Sequence, residues 1–195
     1  MTTTTFDLAP QAAEVARVVA AVRDDQLGAP TPSADTSVAA LLAHLHGLSV
    51  GMRMAAEKTP MGDPPAASAD ALPADWRARV PRELDELVAA WREPSAWEGM
   101  TRAGLAELPA AVMGIVALNE VLVHGWDLAV AIGEPYEVDD ASAQRCLEHA
   151  VWFAAAMPEG RNAIYGPVVP VPDEAPVLDR LLGMTGRDPG WTPPS

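Results

Sequence analysis

The sequence predicts an all-α fold, a four-helix bundle with short extra helices and a Pro-rich C-terminal segment. Two observations lead there. Apolar residues recur at three- and four-residue steps over most of the chain, the spacing of one helix face. No run alternates polar with β-branched residues as a half-buried strand would, and no internal repeat is visible.

Residues 7–25 place Leu8, Val15, Val18, Val19 and Val22 on one stripe. The run Gly28-Ala-Pro-Thr-Pro32 ends that helix, because proline cannot donate the helical hydrogen bond. Asp35, Thr36 or Ser37 caps a second helix, whose stripe is Val38, Leu41, Leu42, Leu45, Leu48 and Met52. Residues 59–74 are rich in Pro, Gly, Ala and Asp and read as a flexible connector or a lid. Asp75 is the expected cap of a third helix that packs Val80, Leu84, Leu87, Val88 and Trp91. Residues 93–108 read as irregular. Pro109 suits the first turn of a fourth helix, which runs to about Ile132 and stops at Gly133. Asp139 or Asp140 starts a fifth, through Leu147, Val151 and Ala154 to Met157. An extended Pro-rich piece at residues 165–172 and a short helix near residues 176–186 follow. No linker divides the chain, so residues 1–195 read as one domain, within the range of about 100–200 residues usual for one.

A formal net charge of −14 argues against nucleic acid or an anionic membrane as partner, since both demand clustered Lys and Arg. The opening MTTTTFDLAP has neither a basic segment nor an apolar run of signal-peptide type, and the lone Cys146 cannot form an internal disulfide. A reducing cytoplasm is the expected location. The 12 arginines against the single Lys58, with much Ala, Pro and Gly, suggest a GC-rich, actinobacterial genome.

The fourth helix carries the chemistry. Between Ala111 and Ile132 the strongly polar side chains are Asn119, Glu120, His124 and Asp127, with the indole of Trp126. A helix apolar nearly all round sits in the core. Glu120 and His124 lie about 40° apart on it, with Met113, Ala117 and Ala131, and Asp127 flanks that face. A buried carboxylate is costly unless it is paired or bound to a cation, and an imidazole one turn away is a natural co-ligand. The same pair reads equally as a salt bridge, from Glu120 to His124 or to an arginine of another helix. A membrane span is excluded by three ionisable groups at mid-span and the lack of a basic flank. On the second helix, His44 and His46 fall about 100° to either side of a stripe centred on Leu45, so periodicity does not choose between them as a third ligand. His149 reads as structural or exposed, Cys146 as a buried small residue, and Trp126 as core.

The segments Leu41-Leu-Ala-His-Leu45 and Asn119-Glu-Val-Leu-Val-His-Gly-Trp-Asp-Leu128 resemble the DinB-like helical metal-binding superfamily. More narrowly, they resemble the actinobacterial subfamily related to the N-terminal domain of mycothiol-dependent maleylpyruvate isomerase. The tail from Tyr165 through Leu182 matches that subfamily's ending, so the resemblance covers about residues 6–191. It implies a DinB-like four-helix bundle in which His44, Glu120 and His124 hold one divalent metal, Zn2+ before Ni2+ or another ion. The choice of His44 over His46 rests on the resemblance. Such a His2Glu set leaves coordination positions open, as in catalytic zinc sites. The implied function is that of a metal-dependent enzyme acting on a small molecule, a transferase or isomerase with mycothiol as thiol co-substrate. The metal would lower the pKa of a thiol or water. Asp127 becomes the candidate catalytic residue, orienting a ligand or accepting a proton, with an exposed capping or packing role as the alternative. The chain is expected to be a monomer or homodimer.

Two other functional classes stay open. One is a metal-dependent hydrolase or cyclase of specialised metabolism that uses no thiol. The other is a non-catalytic metal-binding domain with a stress-related or regulatory role. Two departures from the subfamily stand out. Its Cys-Pro-Asp-Trp or Tyr turn reads Ser33-Ala-Asp-Thr36 here, which would reshape the pocket mouth. The sterol-carrier-like C-terminal domain of the full isomerase is not expected in a chain ending at Ser195.

Overall fold

The computed structural model describes residues 5–59, 68–104, 106–157 and 164–194. Among them the helices are α1 (Ala9–Ala21), α2 (Val38–Ala56), α3 (Trp76–Arg92), α4 (Ala110–Ile132), α5 (Asp140–Ala156) and α6 (Val177–Met184). The protein is thus mainly helical. Ser37 starts α2, its hydroxyl accepting from the Ala40 N–H at 3.3 Å. Asp139 starts α5 in the same way, accepting from the Ser142 N–H at 2.9 Å. Asp75 does stand at the N-cap of α3, but its carboxylate binds Arg79 at 2.9 Å in place of a backbone amide. The guanidinium one turn on competes for it and wins. Helix α4 begins just after Pro109 and ends at Gly133, whose φ of 77° suits a residue without a Cβ.

Burial of apolar stripes explains how the helices associate. α1 and α2 each pack against both α3 and α4, while α5 bridges α4 and α6. The stripes read from the sequence meet in one core that includes Val15, Val18 and Val19 of α1, Leu41 and Leu45 of α2, Leu84 and Leu87 of α3, and Leu118 and Leu122 of α4. By length and composition alone, α2 and α4 could cross a membrane, with mean hydropathies of 1.2 and 1.5. In α4, 72% of that window is buried inside the protein, as expected of a core helix. Trp126 is buried there. Cys146 is buried as well, and that burial pushes its thiol up to about 12, so it is no nucleophile near neutral pH. His149 is buried beside the rings of Trp152 and Phe153.

Residues 93–108 are more regular than expected. A 3-10 turn at Pro94–Trp97 leads into an antiparallel pair, β1 (Met100–Ala103) and β2 (Ala106–Pro109), with Met100 opposite Pro109. Strands of four residues are too short to show a period of two. The hairpin is anchored from its neighbours, since the Thr101 hydroxyl donates to the Ala55 carbonyl and the Trp97 indole donates to the Trp91 carbonyl at 2.7 Å. Half of the expected connector or lid, residues 60–67, lies outside the described residues; beyond it a 3-10 turn forms at Ala69–Ala71. The expected extended piece after Tyr165 carries no helix or strand, and Val169 N–H donates to the Gly183 carbonyl at 3.0 Å, docking it on α6.

Gly114 lies where α4 passes two indoles. A Cβ there would sit 2.5 Å from the Trp97 ring and 3.1 Å from the Trp91 ring. Gly114→Ala should therefore destabilise the protein by ~1–3 kcal/mol of overpacking, outweighing the helix-propensity gain of at most ~1 kcal/mol. Urea denaturation followed by tryptophan fluorescence checks this, and an unchanged or raised midpoint would contradict the packing.

Candidate metal centre

Helix α2 contributes His44 and α4 contributes Glu120 and His124, so the packing of α2 on α4 builds the site. One ligand atom from each lies within 4.8 Å of the others. His44 Nε2 is 3.6 Å and His124 Nε2 is 3.3 Å from the same Glu120 Oε2. The two imidazoles meet edge to face, their centroids 4.7 Å apart. All three side chains are partly buried and line a cavity of about 570 Å³. Ser33, Ala34 and Thr36 line the same cavity, so the turn that departs from the subfamily does border the site.

Behind His124 stands Asp127. It has no solvent exposure, so an exposed role for it is ruled out. Its Oδ2 is 3.1 Å from His124 Nδ1, and Arg187 Nε and Nη2 donate to its two oxygens at 3.3 and 2.9 Å. Arg187 is fixed in turn by donating from Nη1 to the Thr185 carbonyl at 2.8 Å. Asp127 itself does not line the cavity, whereas Arg187 does.

The donor chemistry of this arrangement fits a cation. If His124 Nδ1–H donates to Asp127, a neutral ring turns its Nε2 lone pair toward a carboxylate oxygen. Two acceptors that close are favourable only with a second proton on the ring or a cation between them. In the metal-free protein the proton serves. Burial alone would lower the His124 pKa, but hydrogen bonds to Asp127 and Glu120 outweigh it and raise the pKa to about 9. Burial would raise Glu120, yet its bonds to His124 and His44 hold it well below the usual carboxylate range. Asp127 is also lowered, the His124 bond and the Arg187 charge overcoming its burial. His44, Glu120 and His124 thus form a triad that can hold a divalent metal.

His46 is not brought to this triad. It projects from α2 toward α3, where its Nδ1 lies 2.6 Å from Glu83 Oε2. Arg187 escaped the sequence reading. It is 60 residues from Asp127, and the one clue was the need of a core aspartate for a cationic partner.

A helical protein with a His2Glu triad facing a cavity belongs to a recognisable class of potential metal-binding domains. More particularly, the chain belongs to the family of the mycothiol maleylpyruvate isomerase N-terminal domain, whose model matches residues 8–129. It is also 30% identical over 172 residues to uncharacterized proteins from two strains of Mycobacterium tuberculosis, covering 88% of this chain and 91% of each relative. No solved structure matches the chain significantly.

The geometry separates the two histidines of α2. His44→Ala should abolish tight zinc binding, while His46→Ala should leave it within a few-fold, as read by competition with a chromogenic chelator. Loss of binding in the His46 variant alone would reverse the assignment. If the triad holds zinc, Asp127→Asn should weaken binding by ~10–100-fold without emptying the site, because Asp127 touches, of the triad, only the outer nitrogen of His124.

Proposed function

We propose that the chain is a metal-dependent enzyme acting on a small molecule, with mycothiol as thiol co-substrate in a transferase- or isomerase-type reaction. In this reading residues 1–195 form one domain, a DinB-like four-helix bundle. The observation that carries it is the convergence of His44 Nε2 and His124 Nε2 on one oxygen of Glu120 inside the cavity. A cavity of about 570 Å³ is within the range of small-molecule sites. Family membership supports the thiol. When bound, a divalent ion, Zn2+ foremost, would lower the pKa of a thiol entering the pocket and so supply a nucleophile near neutral pH.

The chain's own groups set the conditions for this. Asp127 is a positioning residue, keeping the proton on His124 Nδ1 and the Nε2 lone pair turned toward Glu120. Arg187 neutralises Asp127, so the carboxylate stays charged without solvent. With both histidines neutral, Glu120, Asp127 and Arg187 together carry one negative charge. A divalent cation reverses that sign, which favours an anionic ligand such as a thiolate over a neutral one. Leu41 and Val123 line the same cavity and give it an apolar wall beside the triad.

Metal uptake must displace the proton that His124 keeps up to about 9. The extra proton stabilises the metal-free protein below the ordinary histidine pKa of 6.5, and that contribution is lost as pH rises through about 9. Zinc affinity should therefore rise with pH over this window, by about tenfold per unit for each proton released. Wild-type protein should take up one zinc per chain, and a chelator should lower its melting temperature more at about pH 8.5 than at about pH 6.5. A melt indifferent to chelator at both would refute the metal reading. An absorption spectrum of the cobalt(II)-loaded protein unchanged by mycothiol would refute the thiol.

A further inference from the structure

Asn119 precedes Glu120 on α4, is 2% exposed and lines the cavity. Its Oδ1 is buried with no hydrogen-bond partner among the described residues. Its Nδ2 donates one long bond, 3.4 Å, to the Tyr165 hydroxyl. Turned over, the amide would accept from Tyr165 and leave its amino group unpaired instead. Either way, one end of the buried amide of this cavity-lining residue is left unmet, one position before Glu120. A leucine would fill this volume without that cost, and the neighbouring helix positions Leu118, Val121 and Leu122 are all apolar. A buried polar end with no protein partner takes one from a ligand, an ion or water, and beside an open cavity a ligand group can supply it. A hydroxyl both donates and accepts, so it serves either orientation of the amide.

We infer that Asn119 binds a hydroxyl group of the molecule that occupies the cavity, and so selects hydroxylated ligands over alkyl ones of equal length. The inference rests on the reading of the triad as a metal site open to thiols. It narrows the ligand to one whose metal-seeking atom lies a few bonds from a hydroxyl.

The probes are hydroxyalkanethiols of two to four carbons and alkanethiols with a methyl group in place of the hydroxyl, titrated into cobalt(II)-loaded protein and followed by the thiolate–cobalt absorption. Wild type should bind the best hydroxylated probe roughly fivefold more tightly than its alkyl partner, the worth of one net hydrogen bond. Asn119→Leu should bind both equally, with cobalt uptake and alkanethiol affinity unchanged. Equal binding by wild type, or a preference that survives in Asn119→Leu, would overturn the inference. Thermal melts of metal-free Asn119→Leu and Asn119→Ala add an arm that needs no cobalt. An amide kept for a ligand leaves Asn119→Leu melting at or above wild type. A fall of several degrees in Asn119→Leu would make Asn119 a structural partner of Tyr165 and overturn the inference as well. This arm judges Asn119 even if no cobalt binds, an outcome that would bring down the metal reading separately.

Discussion

A carboxylate without solvent persists as an anion only if its charge is met inside the protein, and Asp127 is met twice. Arg187 donates to both of its oxygens and His124 approaches one of them. Removing one partner of such a buried pair typically costs ~3–5 kcal/mol, because the other charge is left uncompensated. Three otherwise separate features follow from this pairing. The segment after α6 is tied back to α4 through Arg187. The His124 ring is fixed by its Nδ1. The Nε2 that remains is left facing Glu120, and only a proton or a cation can settle that approach.

The same core helix explains why the polar set is so small. α4 presents apolar side chains to α1, α2 and α5, and each ionisable group on it needs a partner of its own. Glu120 draws on two histidines, His124 on two carboxylates, and Asp127 on one arginine and one histidine. The network uses charge from three parts of the chain, yet only His44, Glu120, His124 and Arg187 of this set reach the cavity. A site built on two packed helices is held more rigidly than one on loops, which suits a fixed ligand geometry.

Local chemistry made much of this legible beforehand. Stripes at helical spacing located five longer helices, and the residues that start them were mostly right because a cap acts within three residues. Glu120 and His124 were visible because a carboxylate and an imidazole one turn apart interrupt an apolar helix. His44 could not be separated from His46 by spacing, since both flank the same stripe; the difference is that Glu83 of α3 is within reach of one and Glu120 of α4 within reach of the other. The β1–β2 hairpin and Arg187 were not legible. Both depend on where distant segments come to lie, and neither leaves a periodic trace.

That long-range part of the site also builds one wall of the cavity. The family match ends at residue 129, so it contains His44, Glu120, His124 and Asp127 but neither Tyr165 nor Arg187. The far wall of the cavity is built from the later segment, where residues 166 and 186 cross closely. Gly186 has a φ of 83°, and a Cβ on it would lie 2.7 Å from the Gly166 backbone, so only glycine permits the crossing. That crossing sets the direction in which the next residue, Arg187, leaves the backbone and reaches Asp127. The triad and Asn119 thus rest on helices inside the matched region, while the cavity wall carrying Tyr165 and Arg187 hangs on one backbone crossing outside it. A change in that segment reaches the triad through Arg187 and Asp127, so the later segment can reshape one cavity wall only while that pairing is kept.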